Sequence, residues 1–257
     1  MVATTRSVST RHPVEGVCYL VGVVLILVGT AHLGVAAVSD RPWLGPLSWR
    51  KPVTFGLSFG TTLIAITWVS SYLRLSTRAR TAVLGIFAAD CVLEVTGITV
   101  QAWRHEPSHF NTESRLDAIV AYSLALGGAV LIATLGTLAV TAFRNRIDGS
   151  PSMRLALRAG FALLLAGLAA GAAMIARGEI LIKSGHVAAA YDTAGYLKWF
   201  HAVTLHAVLV LPALAWLAAR TDRDEHQQLQ IVVRATAAYV GVSGIVLVGC
   251  LVRAGFA

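Results

Sequence analysis

Seven stretches of the chain are apolar around their whole circumference and long enough to cross a bilayer: about 14–38, 52–74, 81–103, 118–142, 154–177, 198–219 and 229–252. None alternates as a barrel strand does, and each is bounded by clusters of Arg, Lys, Asp, Pro or Gly. The pattern predicts an all-α fold, a polytopic membrane protein built as a seven-transmembrane-helix bundle. Residues 1–13 form a short tail, 14–257 a single transmembrane domain, and no soluble domain is expected. The first span follows Arg6 and Arg11 as a secretion signal would. Its apolar run is too long for a cleaved signal, so it is expected to stay as an anchor.

One span breaks the pattern. Asp90, Glu94, Gly97, Gln101 and Arg104 fall at helical spacing and line one narrow stripe of the third span. A carboxylate at the centre of a bilayer helix costs roughly 2.5–3.5 kcal/mol on insertion scales, so such residues face protein or trapped water and mark a site by default.

Composition and charge fit this picture. The 257 residues are 56% hydrophobic and 13% charged, with a mean hydropathy of +0.70, far more apolar surface than a soluble core of this size buries. Of the 21 Lys and Arg, 12 fall on the side that carries the N-terminus and 9 on the other. The positive-inside rule therefore puts the N-terminus in the cytoplasm and the C-terminus outside. The net charge of +8 sits in loops that face lipid headgroups, and no basic helix interleaved with aromatics suggests nucleic acid. Cys18, Cys91 and Cys250 lie in three different spans, which excludes a disulfide framework in the loops. Arginine outnumbers lysine and alanine abounds, a bias associated with GC-rich bacterial genomes. The expected location is a bacterial plasma membrane, and the first partner is the lipid bilayer.

Small residues organise the remaining spans. Gly160, Gly167 and Gly171 give the fifth span a surface for close helix approach, and Gly127, Gly128 and Gly136 are expected to do the same for the fourth. A short echo links Trp49 and Val53-Thr54 with Trp199 and Val203-Thr204, and Thr96-Gly97-Ile98 with Ser243-Gly244-Ile245. Two three-helix units joined by the fourth span would then share one orientation, as parallel transporter repeats do. The inner loops are plain basic stretches, whereas the outer loops combine Trp, His, Pro and mixed charge, the look of functional loops.

Counting helical rise from the outer boundary places Glu94 about 15 Å below Arg104, with His32 and His206 at a similar depth. The ionisable groups thus gather in the outer half of the bundle, and the inner half is expected to be nearly free of them. Imidazoles from facing helices can clasp a transition metal or haem, and the expected ligands are His32, Glu94, His206 and His201. His201 and His206 are five apart, which turns their side chains about 140° from each other and rules out a compact helical zinc pair. Glu94, Asp90 and His109 are the expected acid–base groups. A basic neighbour such as Lys51 or Arg104 would instead make Glu94 or Asp90 half of an ion pair. Arg50, Lys51, Gln101, Arg104 and Asn111 are the expected contacts to a small-molecule or lipid ligand with an anionic group. Trp43, Trp49, Trp103 and Trp199 form an interfacial belt at the same boundary.

A retinal photoreceptor is excluded, because the seventh span has no lysine. The HxxxH pair of the seven-helix membrane hydrolases is absent, as are a Walker loop, a dinucleotide fingerprint and a CxxC. Three functions remain: a metal- or haem-dependent redox enzyme of the membrane, a small-solute or proton-coupled transporter, and a non-catalytic assembly or binding subunit.

Overall fold

The computed structural model describes residues 12–40 and 43–255; Arg6 and Arg11, which enter the orientation expected above, lie outside them. The helices are α1 (Pro13–Ala37), α2 (Arg50–Ser70), α3 (Thr77–Arg104), α4 (Arg115–Phe143), α5 (Pro151–Lys183), α6 (Val187–Thr193), α7 (Lys198–Ala218) and α8 (Glu225–Gly255). A 3₁₀ turn, Ala194–Leu197, joins α6 to α7. Among the described residues, seven helical segments are long and apolar enough to span a membrane when α6 and α7 count as one. Outward-facing Leu20, Leu27, Leu126, Ile180 and Ile245 present the apolar surface that a bilayer covers.

Helix starts follow local chemistry. Ser76, Ser114 and Ser150 each accept a hydrogen bond from the amide three residues on, and Pro13 and Pro151 occupy first-turn positions where no amide is needed. Two helices outrun their apolar stretches. Helix α5 continues through Arg177 and Glu179 to Lys183, and α8 begins at Glu225. Backbone bonding propagates through polar turns outside the hydrocarbon, aided in α5 by a Glu179–Lys183 contact one turn apart.

Glycine sets the closest contacts. A Cβ on Gly56 would lie 2.6 Å from the Cα of Gly29, and one on Gly60 would crowd the Gly22 carbonyl, so α1 and α2 touch backbone to backbone. Helices α5 and α7 meet in the same way: a Cβ on Gly160 would lie 2.9 Å from the Cα of Val208, and one on Gly167 2.6 Å from Thr204 Oγ1. The two triplets α1–α2–α3 and α5–α7–α8 share a pattern of contact. In each the first two helices pack most extensively, the second packs on the third, and the first touches the third least. Helix α4 connects them, resting on α3 and α5, while the parallel helices α2 and α7 meet between the triplets.

Both ends of the bundle carry buried charge. At the end where α3 begins, Arg80 donates to Glu15 Oε1 (3.1 Å), the Ser70 carbonyl (3.0 Å) and the Leu73 carbonyl (3.0 Å). A β-bridge between Leu73 and Ile147 lies beside it, with Arg74 paired to Asp148 at 2.6 Å. The expectation that this half is almost free of ionisable groups is therefore corrected. Glu15 and Arg80 begin their spans at the same end, and each supplies the partner the other needs once buried.

Candidate functional site

The polar stripe of α3 exists as a stripe and lies against α4. Gly127 on α4 is the notch that receives its acids: a Cβ there would lie 2.6 Å from Glu94 Oε1 and 2.8 Å from Asp90 Oδ1. Both oxygens thus converge on one point. Gly97, next along the stripe, faces Leu124 and Val120, and Gln101 and Arg104 reach Asp117. The α4 positions touched, 117, 120, 124 and 127, form a complementary stripe at the same spacing. Gly127 therefore makes room for carboxyl groups, while Gly128 and Gly136 face open space instead of a neighbouring helix.

Asp90 and Glu94 are 6% and 4% exposed, and Asp90 Oδ2 is buried with no hydrogen-bond partner. No ion pair among the described residues includes either acid. The expected pairing of Glu94 or Asp90 with Lys51 or Arg104 is absent because Arg104 is engaged elsewhere: it donates to Asp117 Oδ1 (2.5 Å) and to the Gln101 side chain. Gln101 also donates to Asp117 Oδ1 (2.8 Å) and to the Pro107 carbonyl (3.3 Å), and Ser114 adds a hydroxyl to the same carboxylate. This clasp ties the end of α3 to the start of α4. Asn111 folds into the loop between them, donating to Glu106 (3.2 Å) and accepting from the Glu113 amide (3.1 Å). Gln101, Arg104 and Asn111, expected as ligand contacts, are instead engaged with the Asp117 and Glu106 carboxylates and with loop backbone.

The histidines diverge. His32 stands between Trp49 and Trp103, its ring centroid 5.9 and 6.3 Å from theirs. Its Nε2 accepts from Trp103 Nε1 (3.1 Å), which leaves Nδ1 to donate to the Val28 carbonyl (2.7 Å), so both nitrogens are used. His201 bonds the Gly167 carbonyl of α5 at 2.7 Å. His206 is exposed on the outer face of α7, with Nδ1 on the Ala202 carbonyl of its own helix. The expected ligand set of His32, Glu94, His206 and His201 does not meet, and no group of three His, Cys, Asp or Glu among the described residues is placed to hold a metal ion.

A second polar locus opens at the end where α2 and α7 begin. A cavity of about 320 Å³ is lined by Arg50 and Lys51 of α2, His109 and Phe110 of the α3–α4 loop, Tyr191 of α6 and Lys198 of α7. The loop is anchored over it. Phe110 adopts a left-handed backbone (φ 63°), and its ring fills a notch at Gly178, where any side chain would overlap it. The Tyr191 hydroxyl donates to the His109 carbonyl at 3.3 Å. Burial of the His109 ring, with the Lys51 charge beside it, lowers its pKa from the ordinary 6.5 to about 4, so the imidazole is neutral at pH 7. Its Nδ1 lies 2.9 Å from Ser108 Oγ, and that hydroxyl receives a long 3.4 Å contact from Lys51.

Three of the expected site residues, Arg50, Lys51 and His109, therefore share this cavity, while Asp90 and Glu94 form a separate pair. Sequence reasoning missed Lys198, Tyr191 and Gly127. Lys198 and Tyr191 sit in the loop region of mixed charge, and Gly127 falls at the position of α4 that opposes the stripe. At the far end of the α2–α7 seam, Trp68 packs edge-on against Trp216 (6.4 Å) and Arg220 stacks on the Trp216 ring (3.2 Å to its centroid). Compared with protein families, curated proteins and solved structures, the chain matches none.

Proposed function

We propose that this protein is a proton-coupled carrier of a small solute, with Asp90 and Glu94 as its proton-carrying pair. The observation that carries the proposal is the convergence of two buried carboxyl groups on Gly127, neither of them in an ion pair among the described residues. A carboxyl pair kept only for stability would have a basic partner, as Glu15 and Asp117 do. One proton shared between the Asp90 and Glu94 oxygens removes a charge from the bilayer interior, and its release restores that charge. Exchange of that proton thus changes the energy of holding α3 against α4.

The two triplets support the same function. Helices packed first-on-second through glycine in both halves, with α2 and α7 parallel between them, are the arrangement of parallel repeats that rock against each other. The seam is closed by aromatic rings at one end and opens into the cavity at the other. With the N-terminus in the cytoplasm, as the loop charges favour, that cavity faces outward.

The test is proton movement in proteoliposomes loaded with a pH-sensitive dye and offered a panel of monocarboxylates, dicarboxylates, phosphate, sugars and amino acids. The wild type moves protons with at least one of these solutes, and Glu94→Gln abolishes that coupling. A wild type that couples none of them, or a Glu94→Gln variant coupled as well as wild type, overturns the proposal.

A further inference from the structure

We infer that the cavity between α2 and α7 is a binding site for a small oxyanion, a carboxylate- or phosphate-bearing molecule held by Arg50, Lys51 and Lys198. The inference builds on the carrier function by naming its substrate class. Three cationic side chains line this one cavity against the single acid Asp192. None of the three takes part in an ion pair among the described residues. Among the described residues, buried Arg50 Nε has no hydrogen-bond partner, and Lys51 Nζ makes only the long contact to Ser108. Lys198 Nζ rests 5.7 Å from the centre of the Trp199 ring. Cations lining one small cavity repel one another, and the ligand that relieves the repulsion carries negative charge with several acceptor oxygens.

The rest of the wall narrows the choice. His109 is uncharged at neutral pH and neither cancels nor adds to the field, while Phe110 and Tyr191 give the cavity an apolar side. A volume near 320 Å³ stands at the low end of small-molecule sites, which span about 300–1,000 Å³. The fit is a compact organic acid or phosphate compound. The cavity spans the first turns of α2 and α7, one from each triplet, so the bound anion bridges the two halves that a carrier moves apart.

The oxyanion can be a free solute or the headgroup of an anionic lipid, and the two sources are separable. The full-length protein is placed in nanodiscs of pure phosphatidylcholine and titrated calorimetrically with succinate and with inorganic phosphate, using choline and glucose as controls. A parallel set of discs contains phosphatidylglycerol. For a free solute, succinate or phosphate binds in the phosphatidylcholine discs. Lys51→Gln and Lys198→Gln each weaken that binding about tenfold or more, Lys51→Arg retains it, and Lys183→Gln, at the same end but outside the cavity, leaves it unchanged. For a lipid headgroup, neither probe binds, but phosphatidylglycerol raises the melting temperature of wild type and not of the Lys51 and Lys198 variants. The inference is overturned if neither free anion nor phosphatidylglycerol acts on wild type, or if the effect survives in both Gln variants. Should Lys51→Gln not fold, the Lys198 and Lys51→Arg arms decide. The titration needs no transport, so its failure is distinct from a failure of coupled flux.

Discussion

Two pairs of buried acidic contacts lie in the same bundle and are treated in opposite ways. Glu15, near the start of α1, is met by Arg80, which also donates to the Ser70 and Leu73 carbonyls. Asp90 and Glu94, in the middle of α3, are met by a glycine and by each other. In the first arrangement the carboxylate faces a guanidinium, so the buried charges offset each other. The second leaves an oxygen of Asp90 unpartnered inside the bundle, a condition that only a proton or a structural change relieves. Burial is common to both arrangements; the pair proposed to carry protons differs in that neither acid has an ion-pair partner among the described residues.

The comparison breaks most visibly at Arg80. Arg80→Ala strands Glu15 among apolar neighbours and is expected to cost about 3–5 kcal/mol, whereas Arg80→Met combined with Glu15→Leu recovers most of that loss. Thermal unfolding in detergent measures both. If Arg80→Ala melts with wild type, the latch at this end is not a closed ion pair.

A smaller effect separates two glycines. Gly56→Ala pushes a methyl into the Gly29 backbone, which cannot yield unless α1 and α2 separate, at a cost of about 1–3 kcal/mol. Gly127→Ala meets only the ends of two side chains, which can swing aside, so its stability loss stays below about 1 kcal/mol. Its functional loss is the larger of the two, because the displaced Asp90 and Glu94 no longer converge and coupled proton movement falls as in Glu94→Gln. Unfolding and flux measured side by side decide this. A Gly127→Ala protein with normal coupling would detach the notch from function.

Glu94→Gln itself should leave stability within about 1 kcal/mol of wild type, since it removes an unpaired charge and breaks no ion pair. A clear drop in melting temperature without any transport phenotype would instead favour the assembly-subunit alternative, in which the stripe only stabilises the bundle.

How much of this was legible beforehand depends on whether a feature belongs to one helix or to two. The spans were readable because hydrophobicity around a whole helix is a local property, and the α3 stripe was readable because its spacing is that of a single helix. Its partner was not. Which helix faces the stripe is decided by glycine contacts far apart in the chain, Gly29 with Gly56 and Gly160 with Val208, and depth along the membrane normal says nothing about direction around it. His32, Glu94 and His206 share a depth in the sequence argument, yet one faces a tryptophan pair, one α4 and one the outer surface. The signals for α1 on α2 were present in Gly22, Gly29, Gly56 and Gly60, spaced seven and four apart, but they become an interface only when both helices are considered together.

The comparison extends to a buried base. His109 is kept neutral by burial and by the Lys51 charge, which sets its pKa near 4 in the folded protein against 6.5 unfolded. Between those two values the unfolded chain binds a proton that the folded protein does not, so folding stability rises with pH across that window. The contribution is complete above about pH 6.5, declines as the pH falls toward 4, and levels off below. His109→Gln removes the titrating group, so its melting temperature should depend less on pH from 4 to 6.5 than that of wild type, while the two curves run parallel above 6.5. Thermal unfolding at half-unit steps of pH measures the difference. An unchanged acid limb in the variant would mean that His109 is already hydrated in the cavity. It would then belong with the exposed groups rather than with Arg80, whose burial is matched by partners, or Glu94, whose burial is not.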